Sequence, residues 1–170
     1  RFFAGLLTEI KGETSSQGAG HLNFTQRQPY GVVAKINPFN HPVRFCAEKA
    51  AAALAAGNTV VAKASEQAPL SSLRFAELCD DILPPGVLNV VTGDGVTGSA
   101  MVRHVDVARI GFVGSVETGR IIAKEAAEGL KPVTLELGGK NPIIIFPDAE
   151  PEKAAAAAIK GMNMNRQGQS

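Results

Sequence analysis

The residues with chemistry to offer lie at short breaks between apolar runs. In KPVTLELGGKNP, Lys131 to Pro142, the apolar Val133, Leu135 and Leu137 alternate with Thr134 and Glu136. That is the period-two rhythm of a strand. Gly138 and Gly139 end it, because a glycine pair accepts backbone angles that other residues resist. Glu136 therefore stands near the C-terminal end of an apolar strand, the edge at which open α/β sheets bind ligands. A carboxylate there can act as a base, or it can be an ordinary surface Glu on an edge strand. Two glycine turns offer phosphate chemistry. Gly93 to Gly98 (GDGVTG) is a literal GxGxxG between a strand and a helix, where free N–H groups attract a pyrophosphate. The acidic residue expected about 20 residues further on is missing, since Phe112 to Ser115 occupy that region. Gly114 to Gly119 (GSVETG) approaches a P-loop, but Arg120 and Ile121 stand where Lys and Ser/Thr are needed. A P-loop NTPase is thereby excluded, and a phosphate-binding turn of another kind remains beside the plain reading of two αβ connections. Cys46 and Cys79 sit on the apolar stripes of helices and read as small buried hydrophobes. His21, His41 and His104 are scattered and offer no metal-ligand spacing, so no metal site is expected.

An alternation of strands and helices positions these breaks. Gly31 to Ile36 reads as a strand, NPFNHP (Asn37 to Pro42) as a tight turn, and Val43 to Ala56 as a helix closed by Gly57. Strands follow at Thr59 to Ala62, Val87 to Val91, Val107 to Val113, Leu130 to Leu137 and Pro142 to Phe146. Helices follow at Pro69 to Leu83, after Gly98 to Arg103, after Gly119 to Glu128, and at Glu150 to Lys160. Upstream, Phe3, Leu6, Leu7 and Ile10 make one apolar helix face within Arg1 to Lys11. Gly12 to Gly20 reads as a loop, and Leu22 and Phe24 as part of a strand. The expected fold class is α/β: a Rossmann-like parallel sheet with helices on both faces, preceded by a short β-segment.

Composition narrows the function classes. The 170 residues suffice for one domain with a sizeable core. Lys plus Arg total 17 and Asp plus Glu 16, so no charge excess points to nucleic acid or to a basic partner. No apolar run reaches the roughly 18 residues of a membrane span. Two cysteines make no disulfide framework, and a cytoplasmic setting is expected.

YGVVAKINPFN, VVAKASE, GFVGSVETG and LELGGKNP occur in the order, and near the spacing, seen in aldehyde dehydrogenases, and the chain resembles that family from about residue 1 to 170. The resemblance implies roles. Asn40 would hold the aldehyde oxygen, with Phe39 where Trp is common; an amide N–H stabilises the oxyanion formed on attack, and losing one such donor costs about 2.7–4 kcal/mol. Ile36, Asn37, Pro38 and Phe39 would border the cofactor. Lys63 and Glu66 match a KPSE-like motif that grips the adenosine ribose. A carboxylate there accepts the ribose hydroxyls and repels a 2′-phosphate, so NAD is expected, with NADP as the alternative. Ala64 replaces the usual Pro and is expected to loosen that turn. Phe112, Val113, Gly114 and Ser115 match an FTGS turn, with Val113 replacing Thr, and Gly119 completes a GSxxxG signature that serves the pyrophosphate. Gly95 and Gly98 align with the preceding family glycines. Glu136 matches the general base, a role worth roughly 10²–10⁴ in rate. Leu137 and Gly138 follow it at the cofactor edge, and the Gly138-Gly139 pair would let it swing.

The family nucleophile is a Cys in a motif resembling NxGQxC. Gly168-Gln169-Ser170 match GQx, Arg166 stands where Asn is usual, and the next residue would be the Cys. The expectation is an internal piece of a longer enzyme, inactive by itself. It would comprise a helix end and part of an oligomerisation β-segment at 1–29, a dinucleotide-binding domain at 30–146, and a helix and linker at 147–170. The full-length enzyme would oxidise an aldehyde to a carboxylic acid through a Cys thiohemiacetal and thioester, as a homodimer or homotetramer, with no nucleic-acid or membrane partner. A CoA-acylating relative and a non-catalytic dinucleotide-binding module are the alternatives.

Overall fold

A one-turn helix α1 (Phe2–Gly5) and a 3-10 turn (Leu7–Glu9) take the place of the single helix expected over residues 1–11. The computed structural model describes residues 1–139 and 142–161. The reason for the break is burial: of the expected apolar face only Phe3 is half-buried, while Leu6, Leu7 and Ile10 are exposed, and a helix gains little stability from a face that is mostly unpacked. The loop expected at 12–20 contains strand β1 (Thr14–Ser16), paired antiparallel with β2 (Leu22–Phe24) around Gly18 and Gly20, which both have positive φ. Its polar, Ser-rich sequence gave no alternating signal.

The rest of the fold follows the expected rhythm. Strand β3 (Val32–Ile36), helix α2 (Pro42–Ala55), β4 (Thr59–Lys63), α3 (Leu70–Asp80), β5 (Leu88–Val91), α4 (Gly95–Arg103), β6 (Val107–Val113), α5 (Val116–Glu128) and β7 (Val133–Glu136) follow in turn. Five strands form one parallel sheet in the order β5-β4-β3-β6-β7. Successive side chains of a strand face opposite ways, so the sheet builds two cores. Cys46 and Ala50 of α2 pack with Val60, Ala62 and Leu88 on one face. Val102 of α4 and Ile122 and Ala126 of α5 pack with Ala34, Ile36, Ile110 and Phe112 on the other. From β3 the chain runs outward first to β4 and later to β6, so the crevice between the ends of β3 and β6 is the switch point of the sheet.

Two expectations about boundaries change. Asp94 caps α4, its Oδ1 accepting from the Val96 N–H at 2.9 Å, and Ser115 caps α5, its Oγ accepting from the Thr118 N–H at 3.2 Å. These caps start the helices early, so Gly95, Gly98 and Gly119 lie inside helices instead of in turns. Residues 142–146 form no strand; Ile143 to Phe146 are exposed and pair with nothing among the described residues. Helix α6 (Pro151–Gly161) follows without a buried residue.

Candidate functional site

The ends of β3, β4 and β6 and the starts of α4 and α5 surround a cleft of about 440 Å³. Ile36, Asn37, Pro38 and Phe39 make one wall, and Phe112, Val113, Gly114 and Ser115 the facing one. Lys63 and Glu66 close one end, and Gly95 and Gly98 of α4 form part of the floor. Lys63 is nearly fully buried and donates to the Ala64 carbonyl at 3.1 Å; its Nζ lies 3.5 Å from a carboxylate oxygen of Glu66, whose side chain is well exposed at the rim. Ala64 does not loosen the turn as expected. It is buried and its N–H donates to the Val91 carbonyl at 3.1 Å, a bond that proline could not make.

Both helix N-termini face this cleft, but they differ. Asp94 places a carboxylate on the first turn of α4, whereas α5 is capped by the neutral Ser115 hydroxyl. An N-terminus attracts anions through its free N–H groups and dipole, and an acidic cap occupies that site. The start of α5 is therefore the one suited to phosphate.

A second cavity of about 400 Å³ shares Pro38, Phe39, Val113, Gly114 and Ser115 with the first. Asn40, Glu136, Leu137, Gly138 and Gly139 line its other side. Strand pairing of Val113 with Glu136 sets the carboxylate at the sheet edge, one strand from the cleft. The Asn40 Oδ1 is buried with no hydrogen-bond partner among the described residues. The structure thus brings Asn40 and Glu136 to one cavity and the Lys63, Glu66, Gly95 and Gly98 group to its neighbour. Gly119 lines neither. It is buried in α5 against Leu137, where a Cβ would come within 2.6 Å of a Leu137 methyl, so its lack of a side chain lets α5 pack closely on the segment after β7.

Lys49 was not legible as a site residue. From α2 its Nζ donates to a Glu136 carboxylate oxygen, and it also lies 3.7 Å from Glu48. The available signal was a lysine bordering the Cys46–Ala50 stripe of an otherwise Ala-rich helix. The cysteines do lie away from the site. Burial pushes the Cys46 thiol up to about 11, with the neighbouring Cys79 adding to the rise, and burial raises Cys79 as well. Such thiols carry little thiolate at neutral pH. Residues 165–170 and Lys140-Asn141 lie outside the described residues.

The profile of the aldehyde dehydrogenase family matches residues 1–170. The chain belongs to that family. It is similar to the phenylacetaldehyde dehydrogenase of Pseudomonas fluorescens, at 46% identity over 97% of this chain and 34% of that protein. It is also similar in structure to an aldehyde dehydrogenase from Bacillus cereus solved as its NAD⁺ complex (TM-score 0.86, 44% identity, all of this chain and 35% of the other). An E. coli NADP-dependent enzyme is similar too (TM-score 0.84, 39% identity, 99% of this chain and 35% of the other). This aldehyde dehydrogenase chain spans about a third of the length of the curated relatives it matches. Among its described residues no helix is long and apolar enough to cross a membrane.

Proposed function

We propose that this chain is the dinucleotide-binding part, residues 30–146, of an NAD(P)-dependent aldehyde dehydrogenase that oxidises an aldehyde to a carboxylic acid. One observation carries the reading: the switch-point cleft and the cavity holding Asn40 and Glu136 share a wall. A bound dinucleotide would supply the hydride acceptor. Its pyrophosphate fits the Ser115-capped start of α5 and its ribose the exposed Glu66 carboxylate, which favours NAD over NADP. The cleft walls Phe39 and Val113 reach into the neighbouring cavity, so a nicotinamide end lying there would face the substrate. Asn40 would donate its amide N–H to the aldehyde oxygen as negative charge develops on it. Glu136 would take the proton from the nucleophilic thiol, or from the water that cleaves the thioester, and Lys49 would hold it between these tasks. The exposed Leu22 and Phe24 of the β1–β2 hairpin support its assignment to an oligomerisation segment.

The test is transient kinetics on the full-length enzyme. Glu136→Gln is expected to give a first burst of NADH followed by a steady state about 10²–10⁴ lower than wild type. Full steady-state turnover in that variant would remove Glu136 from the mechanism.

A further inference from the structure

Behind Glu136, on the sheet face that α2 only partly covers, lies a small cavity of about 40 Å³. Lys35, Asn37, Lys49, Gly111, Thr134 and Glu136 line it, together with Phe112 and Val113. It adjoins the cofactor cleft, with which it shares Asn37, Phe112 and Val113, and three features mark it. First, Lys35 lies across the neighbouring strand over Gly111, where a Cβ would come within 2.6 Å of its Nζ; only a glycine at 111 leaves the ammonium that path. Second, Lys35 makes no ion pair among the described residues, and Lys49 already serves both Glu48 and Glu136. Third, Asn37 is only 4% exposed and its Nδ2 has no hydrogen-bond partner among the described residues.

A half-buried ammonium beside a buried, unpartnered amide donor is an unfavourable arrangement unless an acceptor fills it. The surroundings sharpen the need. Arg109 of β6 and Lys49 of α2 both lie near Lys35, and among the described residues Glu136 of β7 is the carboxylate that opposes them. Burial, then Arg109, then Lys49 push the Lys35 ammonium down from its ordinary value. Among the described residues Arg109 itself bonds neutral groups, the Tyr30 hydroxyl at 3.1 Å and Thr134 Oγ1 at 2.8 Å. The cavity exceeds the roughly 10–15 Å³ that a single water requires, so it has room for an occupant somewhat larger than water.

We propose that Lys35 and Asn37 form a site for one small anionic group, a halide-sized anion or a single carboxylate, beside Glu136 and next to the cofactor cleft. The inference stands independently of the role proposed for Glu136. Two sources share this chemistry: a free anion from solution, and a carboxylate from a part of the polypeptide beyond the 170 residues. Melting of the full-length protein separates them. It is compared in sodium chloride and in sodium p-toluenesulfonate, a bulky non-carboxylate anion, at equal ionic strength, with ³⁵Cl line width recorded on the same samples, for wild type, Lys35→Met and Asn37→Ala.

A free anion predicts a saturable chloride-dependent rise of about 2–4 °C and excess ³⁵Cl broadening, both lost in Lys35→Met and weakened in Asn37→Ala. A polypeptide carboxylate predicts no chloride response and a Lys35→Met protein that melts lower than wild type, because the substitution orphans a buried anion. If Lys35→Met cannot be purified, Lys35→Gln, which keeps a donor but no charge, replaces it with the same expectations. Absence of any chloride response, together with a Lys35 variant that melts at or above wild type, would show an unpartnered charge and overturn the proposal.

Discussion

Lys49 fixes the resting place of Glu136, and this contact ties the base candidate to α2 and not only to its own strand. Sequence order hid the pair, since 87 residues separate the two. Glu136 was legible from its place between an alternating strand and a glycine pair, whereas Asn40, Lys63 and Glu66 entered only through the family resemblance; the sheet brings all four to its C-terminal edge. Lys35 and Asn37 were legible as a strand end and a cofactor border, but their shared small cavity depends on how Lys35 crosses Gly111. At this scale Glu66→Gln is expected to narrow the preference for NAD over NADP in the full-length enzyme, read from the ratio of kcat/KM values. An unchanged ratio would show that Glu66 does not touch the ribose. Cys46 supplies a pH prediction. It keeps its proton in the folded protein up to about 11, whereas the unfolded chain releases it near 9.0. Below 9.0 both states are protonated and the residue adds no pH dependence; between 9.0 and 11 only the unfolded state gains by ionising, so stability falls as pH rises. Cys46→Ala should flatten that part of the urea-stability profile and leave turnover intact. Identical slopes in the two proteins, or a folded variant without activity, would contradict the buried-thiol reading.

The parallel strands and their helices were legible because buried strands read as apolar runs and helices as stripes. What the pattern did not supply was packing. The first helix is short because only Phe3 of its apolar face is half-buried, next to α2, while Leu6, Leu7 and Ile10 stay exposed, and Ile143 to Phe146 form no strand although their composition favours one. A run of β-branched residues becomes a strand only with a partner to bond. Asn58 shows the converse, a polar residue that joins elements. Only 7% exposed, it accepts from the Tyr30 N–H at 2.6 Å and the Gly31 N–H at 3.2 Å, and donates to the Ala53 carbonyl at 2.9 Å. It thereby ties the entry of β3 to the end of α2 and the start of β4. Asn58→Ala would orphan these groups and is expected to cost at least about 2 kcal/mol in urea unfolding. A loss within the scatter of surface substitutions would mean that water replaces the side chain freely.

Across the whole chain, function follows from adjacency. The switch point of the sheet opens a cleft between the ends of β3 and β6, and the next strand, β7, delivers Glu136 to the neighbouring cavity through the same wall. The N-terminal hairpin and α6 pack little against this sheet and take no part in either cavity. The proposed function therefore requires that the cleft hold a dinucleotide. Gly98 gives access to that claim, because a Cβ there would sit in ordinary contact with Lys63 Cδ at 3.7 Å and Ile36 Cδ1 at 3.8 Å, while a larger side chain would fill the floor. The deciding measurement is calorimetric titration of NAD into the full-length protein, wild type and Gly98→Phe, each checked by circular dichroism. Saturable binding by the wild type, weakened at least about tenfold in a folded Gly98→Phe, is the predicted result. Equal affinity in the two folded proteins would place the dinucleotide elsewhere and contradict the account.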